Sequence, residues 1–142
     1  MAVKAAGESA WVARIGEIAA ESRLSRMVSQ EGGYLNLGAV GRTAKLTQEG
    51  LEHIVGRHWA GTTGFAAENT GKFSRTTTLK SLTGMINKTV AEGSIRPNIG
   101  KPGYLFELRF GEQIGTTIAG KAAYNLRVAV DSSGGILTAF PY

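Results

Sequence analysis

Residues 124–142 read YNLRVAVDSSGGILTAFPY. Leu126, Val128 and Val130 alternate with other side chains, the period-two pattern of a strand with one buried face. Ser132 to Gly135 supplies small, turn-forming residues and predicts a hairpin. Ile136 to Phe140 returns as the last strand and Pro141 closes it. Just upstream, Tyr104, Phe106, Leu108 and Phe110 alternate in the same way, and Glu112 to Ile118 reads as a shorter strand. The C-terminal third is therefore an antiparallel meander.

Before the meander the period changes. Leu79, Leu82, Met85, Ile86 and Val90 recur at helical spacing and predict a helix over about Thr77–Glu92, ended by Gly93. Thr47 is a good N-cap, with Gln48 and Glu49 in the first turn. The helix it starts carries Leu51, Ile54, Val55 and His58. Ala60–Thr70 is a Gly/Thr/Asn-rich loop, and Gly71–Ser74 leads out of it. A further helix is expected over Gly7–Gln30, from Trp11, Ile15, Ile18 and Ala19, and Gly32-Gly33 stops it. Tyr34–Lys45 reads as glycine-punctuated and irregular. Helices first and strands second give an α+β fold, with N-terminal helices packed on one face of an antiparallel β-sheet. A boundary is placed near residue 40, dividing a helical lead-in, 1–40, from a compact unit, 41–142.

The 142 residues make one ordinary domain, long enough to bury a core without covalent staples. There are no cysteines, which excludes a disulfide scaffold, a thiolate metal site and a cysteine nucleophile. The formal charge of +5 favours polyanionic partners, such as nucleic acid or an acidic protein. No apolar run reaches the roughly 18 residues that mark a membrane-spanning helix. The N-terminus lacks the apolar run of a signal peptide. No Walker, Rossmann or zinc-finger motif is present.

Both histidines of the chain lie in LEHIVGRHWA, at His53 and His58, beside Arg57. Histidine titrates near neutrality and is the usual proton-transfer group. Five residues on a straight helix set the two side chains about 140° apart, at 3.6 residues per turn. His53 shares a stripe with Arg57, and His58 shares one with Leu51 and Val55. Both rings are expected to reach one phosphate only if the helix distorts at Gly56. His58 is expected to emerge from the core-facing stripe at a cleft, so that its removal costs little stability. Two histidines five apart with no cysteine make a poor zinc pattern, so no metal ligands and no cofactor are assigned. Lys72 and Ser74 follow the loop and could bind a phosphate and stabilise its transition state; an ordinary turn with a solvated lysine is the alternative. Trp59, Phe65 and Phe73 could stack unpaired bases near these cations or could be core. Arg42, Lys45 and Arg75 are further candidate phosphate contacts.

The order of the pieces carries a resemblance. LEHIVGRHW (51–59), a Gly-rich loop, GKFS (71–74), an amphipathic helix and a terminal GGILTAFPY (134–142) follow one another. This resembles the barnase/EndoU/colicin/RelE-type RNase toxins found at the C-terminus of contact-dependent growth inhibition proteins. The likeness covers about residues 45–142. It implies helices on a twisted antiparallel sheet, with the active site on the sheet's open face. It also implies His53, Arg57, His58, Lys72, Ser74 and Thr138 as catalytic positions. EndoU domains proper place their second histidine in a Gly-rich loop, and Gly61–Gly71 has none, so the transfer-RNase branch is preferred.

The resemblance implies an endoribonuclease that cuts transfer RNA through attack of the 2′-hydroxyl on phosphorus, without a metal. It implies a cognate immunity protein, expected to be acidic, and allows elongation factor Tu as helper. It implies delivery from the inhibitor-cell surface into the target-cell cytoplasm, with the 1–40 segment a remnant of the entry region. Two rivals stay open: a non-catalytic RNA- or protein-binding adaptor that uses the same basic face, and a DNase, whose chemistry usually wants a divalent metal.

Overall fold

The computed structural model describes residues 34–59 and 70–142. The predicted helix Gly7–Gln30 and all of the predicted loop Ala60–Thr70 except Thr70 lie outside the described residues. Among the described residues the chain is α+β, with two helices and antiparallel sheets.

β1 (Tyr34–Ala39) and β2 (Arg42–Thr47) form a hairpin, directly followed by α1 (Gln48–His58). β3 (Lys72–Phe73) precedes α2 (Leu79–Glu92). Then come β4 (Ser94–Pro97), β5 (Tyr104–Arg109), β6 (Gly115–Thr116), β7 (Ala122–Ala123), β8 (Asn125–Val130) and β9 (Ile136–Pro141). The largest sheet has the order β4-β5-β8-β9, and a small one has the order β3-β6-β7. Among the described residues no helix is long and apolar enough to cross a membrane.

The C-terminal hairpin follows its sequence pattern. Leu126, Val128 and Val130 are buried. The Asp131 carboxylate accepts from the backbone N–H of Ser133 and of Gly135, each at 2.9 Å, and so holds the turn. In α2, Leu79, Leu82, Ile86 and Val90 are buried, and the helix packs on β1, β5 and β8. Thr78 caps it through a reciprocal box with Ser81, and Gly93 is its C-cap.

Tyr34–Lys45 is not irregular. Leu35 pairs with Leu46 and Leu37 with Ala44, and all four side chains are buried. Gly38 and Gly41, with φ of +110° and +81°, shape the turn end of this hairpin. The glycines that interrupt the hydrophobic pattern are thus what lets the chain reverse. A boundary at residue 40 falls inside that turn, so the compact unit includes β1. The strand expected over Glu112–Ile118 is only two residues long, at β6. β4 gave no sequence signal because all four of its residues are exposed, which leaves no alternation to read.

α1 begins where Thr47 Oγ1 accepts from the Gly50 N–H at 3.0 Å. Leu51, Ile54 and Val55 are buried, and the helix packs on β2 and on β9, the outer strand of the largest sheet. A β-carbon on Gly50 would stand 2.5 Å from the Ile136 carbonyl oxygen. The helix therefore rests directly on the β9 backbone, which brings its histidine end over Thr138 and Phe140.

Candidate active site

A cleft of about 330 Å³ opens where the end of α1 meets β9. His53, Arg57 and His58 line it from the helix, Thr70 and Gly71 from the segment before β3, and Thr138 and Phe140 from β9. The His53 and His58 ring centroids are 6.0 Å apart. α1 is unbroken through Gly56, so the rings approach by side-chain reach and need no distortion of the helix.

His58 is 3% exposed. Its Nδ1 lies 2.9 Å from the Gly71 carbonyl oxygen and its Nε2 3.2 Å from Thr138 Oγ1. A carbonyl can only accept, so Nδ1 carries the proton. In the neutral ring Nε2 then holds a lone pair, and the Thr138 hydroxyl donates to it. Stacking on Phe140, with centroids 5.3 Å apart, fixes the ring plane. Burial pushes the His58 pKa down to about 4; the bond to Gly71 opposes this in part, and His53, Lys72 and Arg57 add repulsion. His58 reaches the cleft as expected but is almost fully covered there, because the stripe it shares with Leu51 and Val55 stays buried to the end of the helix, so its removal is not the mild change expected.

His53 is half-buried. Its pKa is lowered below the usual 6.5, first by burial and then by Arg57. The two imidazoles thus share one cleft in different environments, one locked neutral and one open to solvent.

Lys72 Nζ donates to the Arg57 carbonyl at 2.6 Å and to Thr70 Oγ1 at 3.2 Å. It sits on the carbonyl end of α1, where the helix dipole favours a cation. Its charge still reaches His58. Ser74 and Arg75 line a separate depression beside β6 and not this cleft. Arg42 donates to the Gly93 carbonyl at 2.5 Å and lies 5.9 Å from the Phe106 ring centroid, a tie between β2 and the end of α2. Lys45 Nζ stands 5.2 Å from the Tyr34 ring centroid, on the β1–β2 hairpin. Trp59 is 4% exposed and packs on Phe73, so it is core and offers no open face to a base. The structure thus brings four of the expected catalytic residues to the cleft, His53, Arg57, His58 and Thr138, with Lys72 behind them.

Sequence reasoning missed the neighbours of this group on the same sheet face. Arg127 pairs in register with Glu107 and with Phe140. Its Nε donates to Glu107 Oε2 at 2.6 Å, and Arg96 Nε donates to Oε1 at 2.9 Å. These bonds hold the Glu107 carboxyl down to about 2. The signal was present in the alternation of β8, where Arg127 interrupts Leu126 and Val128 and must face away from the core.

Among the described residues no three His, Asp or Glu side chains gather as they would around a metal ion. No family model, no curated protein and no solved structure matches the chain.

Proposed function

We propose that this chain is an endoribonuclease toxin that cuts RNA, transfer RNA by preference, through 2′-hydroxyl transesterification. The observation that carries the reading is the pair of imidazoles, 6.0 Å apart in one cleft with Arg57 and the Thr138 hydroxyl. Two imidazoles in unequal environments, one buried and neutral, the other half-buried beside Arg57, can divide the roles of base and acid between them. His58 Nε2 is the base, acting through Thr138: the threonine passes its proton to Nε2 and takes that of the ribose 2′-hydroxyl. The 2′-oxygen attacks phosphorus, the bond to the 5′-oxygen breaks, and protonated His53 supplies the leaving oxygen with its proton. A 2′,3′-cyclic phosphate and a 5′-hydroxyl result. Arg57 and the charge of Lys72 stabilise the phosphorane.

The same reading takes the fold as barnase/EndoU/colicin/RelE-like and the chain as the tip of a contact-dependent inhibition protein, acting in the target-cell cytoplasm. An acidic immunity protein suits the +5 charge; elongation factor Tu is the proposed helper. Burial of His58 with both ring nitrogens engaged favours a second reading, a non-catalytic RNA- or protein-binding adaptor.

Cleavage of bulk transfer RNA in excess EDTA separates these readings. Cyclic-phosphate ends, lost in His53→Ala and Thr138→Val, support the RNase. Parental cutting by both folded variants overturns this mechanism. A folded parent that binds RNA and cuts none is the adaptor, and activity restored only by a divalent metal points to metal-dependent chemistry.

A further inference from the structure

Beyond Thr138 the wall of the cleft turns apolar. Phe140, Pro141 and Tyr142 continue it, and Ile118, 66% exposed, lines the same cleft. Tyr142 is held in place by its backbone. Its N–H donates to the Asn125 carbonyl at 2.9 Å, and its carbonyl accepts from the Asn125 N–H at 3.1 Å and from Asn125 Nδ2 at 3.2 Å. The Arg127 guanidinium lies 4.3 Å from the Tyr142 ring centroid, and Arg127 is itself fixed by Glu107. A partly exposed aromatic ring is thus braced by a cation, beside the group that would hold a phosphate.

We propose that the Tyr142 end of the cleft is a subsite for one unpaired nucleobase, which stacks against Tyr142 beside Ile118 while its phosphate lies at His53, Arg57 and Thr138. The subsite rests on the RNase reading and narrows its substrate to single-stranded segments. A cleft of about 330 Å³ is at the small end of ligand sites and has room for one nucleotide, not for a duplex. Both carboxylate oxygens of Glu107 are already taken by arginines, so this wall offers a base a ring face and not a reading edge. Stacking tolerates any base, and discrimination among bases should be weak.

The test uses a fluorescein-labelled 2′-deoxy tetranucleotide, which cannot be cut by transesterification. Its binding is read by anisotropy against an abasic tetranucleotide and a short duplex. Tyr142→Ala and Tyr142→Leu, the latter keeping apolar volume without a ring face, should weaken binding of the tetranucleotide about 5- to 150-fold. Binding of the abasic probe should barely change, Tyr142→Phe should bind as the parent does, and the duplex should bind less well than the single strand. The subsite is overturned if the parent does not bind the tetranucleotide, if either folded variant binds it unchanged, or if the variants lose the abasic probe equally. Transfer-RNA cleavage run in parallel keeps the two readings apart. Tyr142-dependent binding without cleavage sinks the RNase and leaves the subsite. His53-dependent cleavage with unchanged binding in the variants does the reverse.

Discussion

Thr138 Oγ1 lies 3.2 Å from His58 Nε2, across 80 residues of sequence, and the other nitrogen of that ring is held by the Gly71 carbonyl. One imidazole therefore ties α1 to both β9 and the segment entering β3. His58→Ala would leave a buried carbonyl and a hydroxyl without a partner and a void over Phe140. A loss of about 2–4 kcal/mol is expected in denaturant unfolding. Thr138→Val keeps the shape and removes the hydroxyl, and should lower turnover on RNA about 10²-fold or more with a smaller loss of stability. Thr138→Ser should retain most activity. Equal activity in Thr138→Val and the parent would remove the threonine from the mechanism.

Stability should also report on His58 through pH. Above pH 6.5 the ring is neutral in both folded and unfolded chains, and its contribution is complete. As pH falls from 6.5 toward about 4 the unfolded chain takes up a proton that the folded one refuses, so stability drops. The expected loss across that window is about 2–4 kcal/mol. His58→Gln should flatten it. Glu107 acts with the same sign in a lower window, its contribution lost as pH falls from 4.5 through about 2. Urea titrations at half-unit pH steps distinguish the two. A parental slope that survives in His58→Gln would show that another group carries it.

The rate should have its own pH signature. With neutral His58 as base and protonated His53 as acid, kcat/KM should be bell-shaped, with its maximum between about 4 and 6.5. His53→Ala should lower kcat/KM about 10²–10⁴-fold and remove the alkaline limb. Its stability should stay within about 1 kcal/mol, since the ring is only half-buried. An optimum above pH 8 is incompatible with this pair of roles.

The seam between α1 and β9 is open to test through residues that do no chemistry. Gly50→Ala places a methyl 2.5 Å from the Ile136 carbonyl oxygen, where the backbone must give way. A cost of about 1–3 kcal/mol is expected, with loss of activity in the folded fraction as the helix lifts from Thr138. Leu51→Ala empties a fully buried position and should cost about 2–5 kcal/mol. Unchanged melting of Gly50→Ala would mean that the helix can slide on the strand without penalty.

The sequence made α2 and α1 legible because each carries its buried residues at helical spacing, and β8 through Leu126, Val128 and Val130. β5 was read from a less regular pattern, since Leu105 and Phe106 are both buried and Tyr104 is exposed. Thr47 and Gly93 announce helix ends through their own chemistry. The β1–β2 hairpin was lost because Gly38 and Gly41 interrupt a pattern only two apolar residues long on each strand. The histidine pair was legible as a pair, but not the inequality between its members. Whether a ring at the end of an apolar stripe reaches water depends on what lies above it, here Phe140 and Gly71, far away in the chain. Lys72, Arg42 and Trp59 were read for their side-chain types, and their positions on a helix end, a carbonyl and the core are set by tertiary contacts that no local spacing encodes.

The close seating of Gly50 on β9 has a kinetic consequence. The cleft draws on residues 53–58, 70–71, 118 and 138–142, and no one of these segments forms it alone. Joining α1 to β9 closes a loop of most of the described chain, a long-range step of the kind that slows folding. A chain diluted from denaturant should therefore regain helical signal before the cleft is assembled, and on the proposed reading the interval between helical signal and RNA cleavage measures the time that assembly takes.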